Sequence, residues 1–183
     1  MTDQLSNGFI SQDFKQEIPD GDDRIRRVCS HCRFVDYVNP KIVAGAVVTQ
    51  GSKILLCKRA IDPRKGFWTL PAGFMEEGET VEEAAMREAR EEANADIRID
   101  HTLAIYSVPR ISQVQVMFRA RLASDISPGP ESTAVGLFEW KDIPWAELAF
   151  PTVVWALTHF AKIRHLPVFS PFTNPPATEA VTR

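Results

Sequence analysis

Residues 73–95 read GFMEEGETVEEAAMREAREEANA, and the rest of the chain is organised around them. Acidic residues are dense here, with Arg87 and Arg90 set among them. Glu88, Glu91 and Glu92 stand at i, i+3 and i+4, so a helix puts their carboxylates on one face. Carboxylates crowded in this way repel one another unless a cation lies between them or water screens them. The helix itself is well specified. Thr80 with Glu83 three residues on forms a capping box, and Gly78 allows a sharp turn into it. Val81, Ala85 and Ala89 make a narrow apolar stripe suited to close packing on a sheet. Asn94 follows the last acidic turn, and Asn is second to Gly as the left-handed residue that ends a helix. Carboxylate oxygens are the donors that Mg²⁺ and Mn²⁺ prefer. An ordinary acidic surface helix is the plain alternative.

Composition narrows the setting. The chain has 183 residues, enough for one domain with an extension, and 44% hydrophobic content, enough to bury a core. A net charge of −3 favours neither nucleic acid nor an anionic membrane surface as a partner. No apolar run reaches the roughly 18–20 residues of a membrane span. The start, MTDQLSNGFISQDFK, has neither the basic end nor the apolar stretch of a secretory signal. Three cysteines at 29, 32 and 57 do not make a disulfide framework, so a reducing cytoplasm is the expected compartment.

Three segments are expected: an N-terminal extension over 1–39, a catalytic domain over 40–166 and a tail over 167–183. Residues 1–22 are polar and predicted to be loosely ordered at the start. Cys29-Ser30-His31-Cys32 is half of a zinc ribbon. A relic without metal, a zinc site and a reactive thiol pair are all open readings, although the redox reading wants a strand before the pair and a helix after it. Lys41–Gln50 reads as a buried strand, Gly51-Ser52 as a turn and Lys53–Arg59 as its hairpin partner. Short strand character at 67–70, a strand over 96–109, an alternating strand through Val114, Val116, Phe118 and Ala120, and a strand over 134–140 follow. A closing helix spans roughly 152–164, with Val153, Val154, Leu157 and Phe160 as its core face. From Pro167 an extended or disordered tail is expected. Helices between and after strands imply an α/β sheet covered on both faces.

The spacing from Gly73 through Glu79 and Arg87-Glu88 to Glu91-Glu92 resembles the Nudix box, the signature of hydrolases that cleave nucleoside diphosphates linked to another group. The departure is Asn94, where the box has Gly. Further stretches resemble the branch containing plant FAD and ADP-ribose pyrophosphatases and bacterial relatives. They are Ile18–Asp22, Cys29 with Cys32, Asn39–Lys41, Leu56–Arg59, Trp68–Phe74, Pro128–Ser132, Ile143–Trp145 and Leu148–Phe150. The resemblance implies the Nudix fold, an α/β/α sandwich with a mixed sheet, preceded by a small degenerate ribbon.

The resemblance also implies roles. Glu88, Glu91 and Glu92 would hold Mg²⁺ or Mn²⁺, with the Ala72 carbonyl as a further ligand. Glu91 and Glu131 are candidates for the base. Gly73, Glu79 and Arg87 are structural, Arg87 bridging to Glu83 or Glu91 one turn away. Arg59 and Lys58 are placed to meet phosphates, and Trp68 and Tyr106 to stack on a base or flavin, each with plain surface charge or core packing as its alternative. The expected partner is a small nucleotide and the expected assembly a homodimer, without nucleic acid or membrane. Zinc is not expected, because Ile10 and Asp13 stand where the branch has a first cysteine pair. A second carboxylate after Glu131 is also missing, Ala134 standing in its place. The implied activity is pyrophosphate hydrolysis of ADP-ribose, FAD or a similar dinucleotide. A triphosphate house-cleaning enzyme and a non-catalytic ligand sensor are the alternatives.

Overall fold

The structure, a computed structural model, describes residues 13–176, which fall into two units dividing between Asn39 and Pro40. The first unit contains β1 (Phe14–Glu17), β2 (Arg26–Cys29) and β3 (Val35–Asp36) as an antiparallel sheet in that order. Order is established by Phe14, which pairs with Cys29 as Glu17 does with Arg26; the start of the polar stretch lies outside the described residues. A strand therefore does run into the cysteine pair. These strands are short and charged, so they carry little of the apolar alternation by which strands are read. Charge pairing knits them together. Arg27 meets Asp36 at 3.2 Å, Arg26 meets Asp22 at 2.9 Å, Arg33 pairs with Glu17, and the Arg27 guanidinium lies 4.7 Å from the Phe14 ring centre. Ile10 lies outside the described residues.

The second unit contains β4 (Lys41–Gln50), β5 (Lys53–Arg59), β6 (Trp68–Thr69), β7 (Ala72–Phe74), α1 (Val81–Ala93), β8 (Ile97–Val108), β9 (Gln113–Leu122), β10 (Ser132–Phe138) and α2 (Pro151–Ile163). The sheet order is β10-β5-β4-β9-β8, with β6 on β5 and β7 on β4. β4 and β9 run parallel from Lys41↔Gln113 to Thr49↔Arg121, and the other pairings are antiparallel. The sheet is therefore mixed.

Alternation along β4 assigns the two faces. Ala44, Ala46 and Val48 pack with Ala84, Ala85, Ala89 and Ala93 of α1. Their small side chains let the helix lie close to the sheet. Val47 faces the other way, into a core with Leu157 and Phe160 of α2. A helix on each face gives the expected α/β/α sandwich.

β8 is an edge strand, and the chain after α2 returns along it. Phe172 donates to the Leu103 carbonyl and accepts from the Ile105 amide, both at 2.9 Å. The Asn174 side chain accepts from Ser107 N–H at 2.8 Å and donates to Ser107 C=O at 2.7 Å. The described part of the tail is thus extended and hydrogen-bonded. No helix among the described residues is long and apolar enough to cross a membrane.

Candidate active site

The helix α1 begins and ends as its sequence indicates. Thr80 Oγ1 accepts from Glu83 N–H at 3.2 Å, and Glu83 Oε2 accepts from Thr80 N–H at 2.7 Å. At the other end Asn94 is left-handed, with φ 47° and ψ 33°. Between these caps the three carboxylates diverge. Glu88 and Glu92 are buried, 8% and 4% exposed, whereas Glu91 is exposed. Gly73 of β7 faces Glu88 so closely that an added Cβ would overlap its carboxylate. That close approach is the physical reason for glycine at this position. The Ala72 amide donates to Glu92 Oε2 at 3.4 Å, which places Ala72 beside Glu92 through its N–H.

Arg87 ties the cluster together. Its Nε and Nη2 form a fork on Glu79 at 3.1 and 2.8 Å. Nη1 reaches Glu88 at 2.8 Å and Glu91 at 3.0 Å, and Nη2 also donates to the Phe74 carbonyl at 2.8 Å. Of the two partners suggested by helical spacing, Glu91 is engaged. Glu83 is committed to the Thr80 cap instead. Glu79 in turn accepts from Glu76 N–H at 2.6 Å, closing the turn that leads into the helix.

The electrostatics of the buried pair are unusual for surface acids. Burial, followed by the charge of Glu88, pushes the Glu92 carboxyl up to about 8, and Arg59 opposes this. Burial also raises Glu88 despite its bond to Arg87. The charge of Glu131 adds a smaller upward push to both. These groups suit a hard divalent cation in two respects. The donors are oxygens, and the site is short of positive charge where two carboxylates are desolvated together. Among the described residues no three acidic, histidine or cysteine side chains already stand in chelating geometry. Arg87 meanwhile holds Glu88 and Glu91.

The expected substrate-binding residues divide between the faces of the sheet. Leu55 and Cys57 of β5 pack on the α1 side, and Arg59, at the end of the strand, adds a favourable charge to Glu92. Arg59 also donates to the Pro63 carbonyl at 2.8 Å and lies 5.2 Å from the Phe150 ring centre. Lys58 is one residue out of phase and lies over Trp68 at 5.6 Å, on the α2 side. Trp68 packs its ring edge against Phe138 at 4.9 Å. Tyr106 has no exposed surface, and its hydroxyl is bonded to His159 Nδ1 at 2.8 Å. It is a core residue, which corrects the expectation that it stacks on a ligand. Its partner across the sheet, Gln115, and the alternation of β8 place it on the α2 side.

Sequence reasoning missed a loop clamp at the helix end. Ser127 N–H donates to Ala93 C=O at 3.0 Å and Gly129 N–H to Glu92 C=O at 3.1 Å. The Asn94 amide reaches Ser127 Oγ at 3.0 Å, Ser127 C=O at 3.3 Å and Pro128 C=O at 3.1 Å. The signal available was the pairing of Asn94 with the Pro-Gly loop, two features read separately.

In the first unit Cys29 is buried and Cys32 exposed. Arg33, with φ 63°, closes a tight knuckle by donating to Cys29 C=O at 3.0 Å. Backbone N–H groups of Cys32 and His31 hold the Cys29 thiol below its usual range. Ser30 bonds the Asp13 carbonyl through N–H at 2.9 Å and Oγ at 2.6 Å, bringing Asp13 beside the knuckle. Among the described residues no three acidic, histidine or cysteine side chains stand in chelating geometry, so Cys29 and Cys32 have no further ligands set around them for a four-coordinate zinc.

Comparison with known proteins agrees with this geometry. The family model described as NUDIX domain matches residues 39–159, and the one described as Nudix N-terminal, a zinc-ribbon model, matches residues 11–38. The ADP-ribose pyrophosphatase of Methanocaldococcus jannaschii is 33% identical over 119 residues, covering 62% of this chain and 69% of that protein. The NAD-capped RNA hydrolase NudC of Photorhabdus laumondii is 41% identical over 73 residues, covering 39% of this chain and 27% of that protein. Among solved structures, a NUDIX hydrolase from Nitrosomonas europaea superposes with a TM-score of 0.84 at 42% identity, covering 91% of this chain and 97% of that one. The box helix, its buried glutamate pair and the family match over most of the chain lead to one conclusion: this chain belongs to the Nudix hydrolase family.

Proposed function

We propose that the chain is a metal-dependent pyrophosphatase acting on ADP-ribose, FAD or a related dinucleotide, with AMP and a phosphorylated partner as products. The observation that supports this most is the buried Glu88–Glu92 pair against Gly73, with the charge of Arg59 acting on Glu92. Glu88, Glu91 and Glu92 hold the cation, with Ala72 next to Glu92. Bound Mg²⁺ or Mn²⁺ supplies charge neutralisation on the phosphate oxygens and acidifies a water. Glu131, exposed on the loop docked at the end of α1, takes the proton from the attacking water, and Glu91 is the second candidate for that role. Arg59 meets a phosphate oxygen. Arg87 fixes the rotamers of Glu79, Glu88 and Glu91 and touches no substrate. Lys58 and Trp68, on the other face, are given no part. The dinucleotide substrate class rests on the M. jannaschii relative and on the branch resemblance. A homodimer working in a reducing cytoplasm completes the reading, from the same resemblance and from three free cysteines.

The test is a panel of ADP-ribose, FAD, NADH, CoA and deoxynucleoside triphosphates with Mg²⁺, followed by reaction of the best substrate in ¹⁸O-water. Label is expected in a phosphate product. Label at a ribose carbon would mean glycosidic cleavage and would end this reading. Exclusive turnover of triphosphates would shift it to house-cleaning, and tight binding without turnover to a ligand sensor.

A further inference from the structure

We propose that Asn94 is a positioning residue: it clamps the loop 127–131 to the end of the box helix and so fixes where that loop presents Glu131 relative to the helix that carries Glu88 and Glu92. The inference rests on the functional reading above for what Glu131 does, but the clamp itself stands on hydrogen bonds. The position takes a left-handed backbone, φ 47°, that glycine adopts freely and other residues adopt at a cost. The family box has glycine here. Ending the helix therefore does not require asparagine, and the side chain is free to do something else. Its amide nitrogen, with two hydrogens, faces three acceptors, namely Ser127 C=O, Ser127 Oγ and Pro128 C=O.

The loop it grips is docked closely. Ser127 and Gly129 donate to the last carbonyls of α1, and a Cβ on Gly129 would collide with the Glu91 carbonyl. Ser132 N–H turns back to Gly129 C=O at 3.1 Å, and Glu131 C=O accepts from Ala60 N–H at 2.8 Å. Glu131 thus hangs between the helix end on one side and the residue after Arg59 on the other. The backbone bonds at this joint are available to any sequence. The Asn94 amide is the side-chain contribution to it, and it comes from the same helix that carries Glu88 and Glu92. One rigid element therefore sets both the buried carboxylates and the loop bearing the third.

Asn94→Gly removes the amide and keeps the helix end comfortable. Asn94→Asp keeps shape and tolerates the left-handed backbone, but replaces the donor with a carboxylate oxygen that faces the Ser127 and Pro128 carbonyls. In metal-free protein, amide hydrogen exchange at Ser127 and Gly129 is expected to speed up about tenfold in Asn94→Gly and at least as much in Asn94→Asp, with the middle of α1 unchanged. With Mg²⁺ and the best substrate, Asn94→Gly should lower kcat about fivefold with KM within about twofold, and should lower it no further in a Glu131→Gln background. Unchanged exchange at Ser127 and Gly129 overturns the clamp. An equal kcat loss with and without Glu131 overturns the positioning of Glu131. If the loop loosens while the wild-type chain turns over no pyrophosphate, the clamp stands and the proposed activity fails on its own.

Discussion

Replacing Arg87 with alanine removes more than a surface charge. The side chain is only 22% exposed and bonds Glu79, Glu88, Glu91 and the Phe74 carbonyl. The bond to Glu91 counts for little, since that carboxylate is 55% exposed. The fork on Glu79 and the bond to Glu88 carry the effect, because those side chains are 15% and 10% exposed. Losing one partner of a buried ion pair costs about 3–5 kcal/mol through the stranded charge. Glu88 softens that penalty, since its carboxyl is already raised by burial and can take up a proton. We therefore expect Arg87→Ala to lose about 3 kcal/mol at neutral pH. With an m-value of about 2 kcal/mol/M, the urea midpoint should fall by about 1.5 M. Arg87→Lys keeps charge but not the fork, and should recover less than half of the loss. Urea unfolding followed by circular dichroism in chelator measures this. A midpoint shift below about 0.3 M for Arg87→Ala would show that water screens the cluster and that the guanidinium holds nothing together.

Glu92→Gln and Glu91→Gln should each lower kcat at least about a hundredfold at saturating Mg²⁺ while the thermal unfolding signal stays cooperative; wild-type kcat in either would remove them from the metal site. Elemental analysis of protein purified without chelator should find much less than one zinc per chain, and Cys29→Ser/Cys32→Ser should unfold at nearly the wild-type urea concentration. Stoichiometric zinc lost with the first unit's fold would mean that another ligand completes the site. Asp100 gives a pH test. Burial pushes its carboxyl up, but the His101 hydrogen bond and the Arg119 charge outweigh this and hold it below the usual range. A depressed carboxyl stabilises the fold above the unfolded value of about 3.9 and stops doing so as pH falls through the folded value. Asp100→Asn should therefore cost about 1–2 kcal/mol at pH 7, and a cost that persists undiminished at pH 2 would exclude this linkage.

The parts of the site set by local chemistry were legible in the residues. Thr80 with Glu83 and the left-handed Asn94 are decided within one turn of helix, whereas the reason for Gly73, its close approach to Glu88, took the packing of β7 on α1 to show. What was not legible depends on pairing between distant segments. The parallel partnership of β4 with β9 joins Lys41 to Gln113, which no local pattern announces. The first unit's strands are held by Arg–Asp and Arg–Glu pairs rather than by an apolar face. Lys58 and Arg59 look equivalent as neighbouring cations, yet Lys58 lies over Trp68 while Arg59 reaches the Pro63 carbonyl and the Phe150 ring. Tyr106 belongs to a strand whose partners fix its direction, so only the register showed that it points into the core.

The chain after α2 also bears on what the edge of the sheet can pair with. β8 would otherwise present its outer row of amides and carbonyls to solvent, and such a row is a template for strand addition. Phe172 and Asn174 occupy Leu103, Ile105 and Ser107 on that row, Asn174 using a side-chain amide where another chain's backbone would bind. A chain cut at Pro167 keeps every residue of the proposed site but exposes that seam, so the tail blocks strand addition at this edge and leaves the proposed dimer to other surfaces.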